Sequence, residues 1–466
     1  MQLSLENLYT IFDKNQDKDL LTSIEGNPLT YHEMRTKAAE LGQKIFQKAK
    51  KENIRVAIIC NDRLNYLTAY LCCILEQFSF LPLNENLCKD HKDIILEQYR
   101  PNIIIDDLDV HAFNNTEEPS IKPEITFFTS GTTGLPKGYV HSIEALINSA
   151  NDMLMHLEIK KPIRMLHVMP IGYMAGFLNT IIMPLLTGGS IVLEEQFSPA
   201  IGMAFWKNCI QKNIDTFWLT PTMLSLVNKF TRSPSDVEWI RQNIRYPLVA
   251  TAKLKEKLFD EVKENLGIIP LETYGLTEML FLSANKHEKY RRGSVGQLLP
   301  NISLDINKVT NELNVRSPYL AEKEISLVES EVKIFDRNSS FSTGDVGAID
   351  SEGFLIISDR LKDIVKVGGV RISPRYIEEK LLLQCNEIED IAVVGVDSEF
   401  WGEELVAYII LKPGNSEKSI IKIQENSKAC LPKDHQPSHY RMIDKFPYSS
   451  TGKVDKRTLK KGFQVN

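Results

Sequence analysis

Thr129-Ser130-Gly131-Thr132-Thr133-Gly134-Leu135-Pro136-Lys137-Gly138 is the stretch on which the reading of this chain turns. The apolar run Ile125-Thr126-Phe127-Phe128 precedes it, so a buried strand feeds a loop of glycines and hydroxyls. Gly131, Gly134 and Gly138 let the backbone come close to a bulky anion. Thr129, Ser130, Thr132 and Thr133 add O–H donors, and Lys137 adds a cation. Together they form a cradle for polyphosphate. A Gly/Thr-rich surface turn would account for the glycines, but not for hydroxyls, proline and lysine interleaved through the whole decapeptide. The Walker A spacing cannot be placed on it, which argues against a P-loop kinase.

Outward from this loop, helical and strand-like segments alternate. A helical stretch starts near Asn27 and runs to about Lys50; Arg55 to Cys60 is a buried strand and Asn65 to Leu75 a helix. Phe80-Leu81-Pro82-Leu83, Ile103-Ile104-Ile105, Ile191-Val192-Leu193 and Thr216-Phe217-Trp218-Leu219 continue the strands, with helices after Ser142 and before Thr216. This alternation predicts an α/β fold with largely parallel sheets. After Gly293 the runs shorten. Leu313 to Arg316 and Glu331 to Phe335, set among Gly, Pro and Asn, predict a small β subdomain. From Arg360 to the end, about a hundred residues of α+β pattern suffice for a separate small domain.

A length of 466 residues calls for two or three domains, and a net charge of −6 gives no reason to expect a nucleic-acid partner. The seven cysteines are scattered and form no C-x-x-C pair, so buried free thiols are expected rather than a disulfide framework or a zinc site. The first residues lack the basic flank and apolar block of a signal peptide, and a cytoplasmic location is expected. Met174 to Leu193 carries no charge, yet Asn179, Pro184 and the turn Thr187-Gly188-Gly189-Ser190 interrupt it. A buried helix, a turn and a buried strand are predicted there, with no membrane span.

Four further motifs follow the loop in order: Tyr274-Gly275-Leu276-Thr277-Glu278, Thr343-Gly344-Asp345, Asp359 to Ile372, and Pro447-Tyr448-Ser449-Ser450-Thr451-Gly452-Lys453. With the decapeptide, this series resembles the adenylate-forming superfamily of acyl- and aryl-CoA synthetases, peptide-synthetase adenylation domains and firefly luciferase. A stand-alone acyl-CoA ligase is the most similar kind of member.

The resemblance implies an ATP- and acid-binding N-terminal domain (1–359) of layered α/β subdomains plus the small β subdomain. A hinge (360–363) and a mobile α+β lid domain (364–466) follow. It implies ATP-dependent activation of a small carboxylic acid as acyl-AMP, then transfer to a thiol, with coenzyme A expected and a carrier-protein phosphopantetheine the alternative. A non-catalytic nucleotide-binding relative is a third reading. The residues from Thr129 to Gly134, Lys137, Thr273, Tyr274, Gly275, Asp345 and Arg360 are implied ATP contacts. Thr277, Glu278 and Lys453 are implied catalytic groups, Glu278 also holding Mg²⁺. An aromatic ring suits the adenine face, a carboxylate suits a hard cation and a ribose diol, and a lysine suits two repelling anions held in line. Lys362 is the implied hinge residue, and Lys366, Gly368 and Gly369 the loop on the thiol side.

The sequence departs from the family's pattern at the acid. Tyr173 stands where P-x-x-H-x-x-G has histidine, and G-G-A-P-L reads Ala250-Thr251-Ala252-Lys253-Leu254. Tyr173, Phe177, Ala250 and Thr251 are the expected acid pocket. No carboxylate lies between Lys161 and Glu194 to hold an α-ammonium, so a neutral-tailed acid is expected rather than an amino acid. With no carrier domain after Asn466, any carrier protein is expected to be a separate chain.

Overall fold

A computed structural model describes residues 3–23, 26–49, 54–83, 87, 89–113, 122–129, 137–231, 233–327, 331–368, 370–398, 400–416, 418–448 and 454–463. Two large sheets form its frame. In the nine-stranded sheet, Leu271–Leu276, Tyr246–Val249, Thr216–Leu219, Arg164–His167, Ser190–Leu193 and Asp19–Ser23 run parallel in that spatial order. In the eight-stranded sheet, Glu124–Thr129, Ser79–Pro82, Arg55–Ile59 and Ile103–Asp106 do the same. Parallel strands need helical crossovers that cover both faces, which is why these strands are near-continuous apolar runs.

The helices Arg63–Leu75 and Ile143–His156 are almost wholly buried. Asp62 starts the first by accepting from Asn65 N (2.8 Å), and Ser142 starts the second by accepting from Ala145 N (3.2 Å). Tyr70, Phe80, Phe127, Phe177, Trp218 and Phe281 come from both sheets and these helices and share one apolar cluster. The stretch read as helix, turn and strand is Met174–Phe177, a π-helical turn Leu178–Ile182, Met183–Leu186, and then the buried strand Ser190–Leu193. Among the described residues no helix is long and apolar enough to cross a membrane.

The small β subdomain is a four-stranded antiparallel sheet of Ser303–Ile306, Glu312–Arg316, Phe341–Ile349 and Leu355–Arg360. One expected member lies elsewhere. Glu331–Ile334 pairs with Lys323–Ser326, and that hairpin extends the eight-stranded sheet beside Lys137–Ser142. The edge next to the phosphate loop is thereby covered, a placement that strand texture cannot reveal.

A smaller C-terminal domain completes the α/β fold. Val370–Ile372, Val365–Val367, Gly402–Leu411 and Ile388–Ser398 form its sheet, with His439–Met442 parallel to Gly402–Leu411. Pro374–Gln384 and Lys418–Cys430 pack on it around Ile377, Leu381, Val393 and Ile409.

Candidate active site

The hairpin of the β subdomain sets Asp345 directly opposite Arg360. Arg360 Nε lies 2.6 Å from Asp345 Oδ1, and the Tyr274 hydroxyl donates to Oδ2 at 2.5 Å. Asp345 is 3% exposed. Burial and the neighbouring Asp345 charge hold the Tyr274 phenol well above its usual range, so it stays a donor. Gly344, directly before Asp345 in the strand Phe341–Ile349, has φ +70°. Three implied nucleotide contacts from two sheets thus meet at one carboxylate.

Tyr274 lies in the strand Leu271–Leu276, which returns through a tight hairpin. A Cβ on Gly275 would sit 2.4 Å from the Leu280 carbonyl, so the glycine is required by close approach. The same hairpin carries Thr277 and Glu278. His141 Nε2 donates to the Thr277 carbonyl (2.7 Å), and Ala321 N donates to the Glu278 carbonyl (2.8 Å). Burial pushes the His141 imidazole down to about 4, so it is neutral there. The Glu278 carboxyl is raised above its ordinary range by burial, opposed by its own backbone N–H and the Tyr139 hydroxyl.

Thr129 and Lys137 end the two strands that flank the phosphate loop and pair with each other. Lys137 Nζ meets Glu324 at 2.5 Å. Thr273 is buried, with its hydroxyl 3.3 Å from the Val249 carbonyl. The residues from Ser130 to Gly134, Gly369 and Lys453 lie outside the described residues. Tyr448 and Val454, which flank the Lys453 segment, pair as an antiparallel bridge.

Lys362 lies in the 3-10 turn Leu361–Asp363. Burial lowers its ammonium pKa, while Asp363 and Asp345 oppose that effect and Arg360 and Arg457 add to it. Lys366 is exposed, and its amide donates to Glu403 (2.8 Å). Gly368, at φ +55°, donates to the Trp401 carbonyl, and a Cβ there would press on the Trp401 ring at 3.0 Å.

The expected acid-pocket residues are divided. Tyr173 is half-buried at the start of Met174–Phe177, whereas Phe177 sits in the core against Tyr70, Phe80 and Phe127. Ala250 and Thr251 follow the strand Tyr246–Val249. Thr251 has φ +73°, a conformation unfavourable for a β-branched residue. Thr251→Gly should therefore raise unfolding stability by about 1 kcal/mol in a denaturant titration; a less stable variant would show that the strain is compensated.

The sequence profile of the AMP-binding enzyme matches residues 111–318, and that of its C-terminal domain matches 378–453, together more than half of the chain. The chain belongs to the AMP-binding enzyme family. Malonate–CoA ligase of Arabidopsis thaliana is 26% identical over 73% of the chain, which spans 61% of that ligase. 2-Succinylbenzoate–CoA ligase of Bacillus pumilus is 24% identical, with 93% of each protein aligned. ATP-bound MatB from Rhodopseudomonas palustris superposes with a TM-score of 0.85 at 21% identity, covering 98% of this chain and 99% of that one. The family and the fold expected from the motifs are both borne out.

Several side chains around this family's motifs escaped the sequence reading. Tyr139 and His141 alternate on the strand leaving the phosphate loop and touch the Thr277–Glu278 turn. Asp359 accepts from Ser373 Oγ (2.7 Å) and Arg375 N (3.2 Å) at the start of Pro374–Gln384. Their signal lay in alternation along a strand and in the acid that opens the hinge motif, neither distinctive by itself.

Proposed function

We infer that this chain is an AMP-forming acid–thiol ligase that activates a carboxylic acid with ATP and passes the acyl group to coenzyme A. The observation that carries the reading is the buried Asp345 carboxylate gripped by Tyr274 and Arg360, within a chain of this family. An ionised carboxylate can accept from both ribose hydroxyls, and an aromatic ring such as that of Tyr274 suits the face of adenine. A carboxylate oxygen of the acid attacks the α-phosphorus, and the bond to the bridging oxygen breaks as pyrophosphate leaves. A thiolate sulfur then attacks the acyl carbon, and AMP leaves with the oxygen. Thr129 to Gly134 and Lys137 cradle the phosphates, Thr277 meets the α-phosphate, and Lys453 bridges acid and phosphate.

Among the described residues no three His, Cys, Asp or Glu side chains are grouped to hold a metal. Mg²⁺ bound between triphosphate and protein needs only one or two carboxylates. Glu278 fits that need, since its buried carboxyl is raised and would gain from a cation. When bound, Mg²⁺ would neutralise charge developing on the leaving pyrophosphate.

The small domain rotates about 360–363, presenting in turn the Lys453 segment and the Lys366–Gly369 loop. Tyr173, Ala250 and Thr251 border the acid, which has an uncharged tail. The described cysteines are free, and all but Cys430 are buried, in keeping with a reducing cytoplasm.

The test is pyrophosphate release from ATP and Mg²⁺ over a panel of fatty, aryl, dicarboxylic and amino acids, followed by coenzyme A or a phosphopantetheinylated carrier protein. Acid-dependent release and an acyl-CoA product are expected, with Glu278→Gln roughly tenfold slower or worse in the first step. A chain that released no pyrophosphate with any acid would be a binding relative instead. Thioester on the carrier alone would move the acceptor, and exchange with amino acids alone would overturn the neutral tail.

A further inference from the structure

Where the family reads G-G-A-P-L, this chain has Lys253 in the proline's place, and that lysine reaches the small domain. Its Nζ lies 2.6 Å from Glu379 on the helix Pro374–Gln384, with side chains 13% and 27% exposed. Two more pairs cross between the same bodies. Lys255 meets Asp390, and Lys229 meets Glu389 at 3.2 Å. All three cations belong to the large domain and all three anions to the small one.

We propose that Lys229, Lys253 and Lys255 form a clasp that holds the small domain in the orientation seen here by pairing with Glu389, Glu379 and Asp390. This rests on the ligase reading only in giving the clasp its use, which is to favour one half-reaction's orientation. The other half-reaction requires the pairs to part.

Lys253 is the most committed of the three. Beside it Glu272 is buried, accepts from Leu254 N (3.1 Å), and is pushed up to about 8 by burial, with Lys253 and Arg375 opposing and Glu379 adding. Lys253 reaches past this buried carboxyl to pair with Glu379 on the small domain. A lysine this enclosed loses more on separation than an exposed one would. Asp359, bonded to the N-terminus of the helix that bears Glu379, fixes the direction from which that partner arrives.

The orientation can be read without any substrate. Spin labels at Met203→Cys and Ile421→Cys, exposed on Pro199–Gln211 and Lys418–Cys430, report the distance between domains once Cys88 and Cys430 are replaced by serine. One dominant distance is expected for the parent. In Glu379→Lys its ratio to other distances should fall roughly tenfold, because like charges then face each other. The swap Lys253→Glu with Glu379→Lys should restore it. An unchanged distribution in the single variant, or no recovery in a swap that still melts cooperatively, would overturn the clasp. Should Glu379→Lys fail to fold, Glu389→Lys makes the same test at a pair with 60% and 42% exposed side chains. Active enzyme whose distances ignore these charges sinks the clasp alone; inactive protein with charge-dependent distances sinks only the ligase reading.

Discussion

Asp345→Ala is expected to lower kcat/KM for ATP by roughly a hundredfold or more, the largest loss of any substitution among the described residues. The carboxylate is almost fully enclosed and accepts from the Tyr274 hydroxyl while pairing with Arg360. Hydrogen bonds to a charged group are worth about 1.5–3 kcal/mol each, and the buried phenol left behind adds its own desolvation cost. Part of that loss falls on the free protein. Asp345→Asn separates the two effects, since the amide keeps an acceptor for Tyr274 but surrenders the charge that meets Arg360. The alanine variant should lose the ATP-induced rise in Tm, whereas the asparagine variant should keep most of its own Tm and part of that rise. If Asp345→Ala kept both the thermal shift and kcat/KM within a few-fold of the parent, the carboxylate would be structural and the ribose contact would lie elsewhere.

The sequence announced Tyr274, Asp345 and Arg360 separately but not their meeting. Asp345 and Arg360 oppose each other because of a hairpin register, and that register shifts between Val346 and Gly347 in a way no residue pattern displays. The buried strands were legible because parallel strands covered on both faces are apolar throughout. Glu331–Ile334 was legible as a strand but not as part of the eight-stranded sheet, since all four residues are exposed and its place depends on covering the edge beside Lys137. Phe177 is placed differently from Tyr173. Proximity to Tyr173 in sequence suggested a shared pocket, but a helical turn carries Phe177 into the aromatic core. Lys253 was visible only as a departure, and its partner on the small domain gives the departure a physical meaning.

Removing Lys453 should lower acyl-AMP formation by roughly a hundredfold or more, because a cation that holds the acid and the α-phosphate in line stabilises charge mainly in the transition state. Thioester formation from synthetic acyl-adenylate and coenzyme A should be spared. Lys366→Ala should do the reverse. The asymmetry is expected because the two lysines sit on different segments of the small domain. Tyr448 and Val454, paired as an antiparallel bridge, bracket the Lys453 segment. Lys366 instead sits exposed on a strand tied by its amide to Glu403 of its own domain. If the small domain offers one face to the site at a time, as proposed above, each lysine serves one step and the domain turns between them. Lys362 lies in the short helical turn that would absorb the rotation, and a proline there would fix φ and stall both steps in sequence while leaving each separately measurable. The decisive measurement feeds each variant either ATP with acid or acyl-adenylate with thiol. Equal loss of both steps in a normally folded Lys453→Ala protein would mean that a single orientation performs the whole reaction, and the alternation would have to be abandoned.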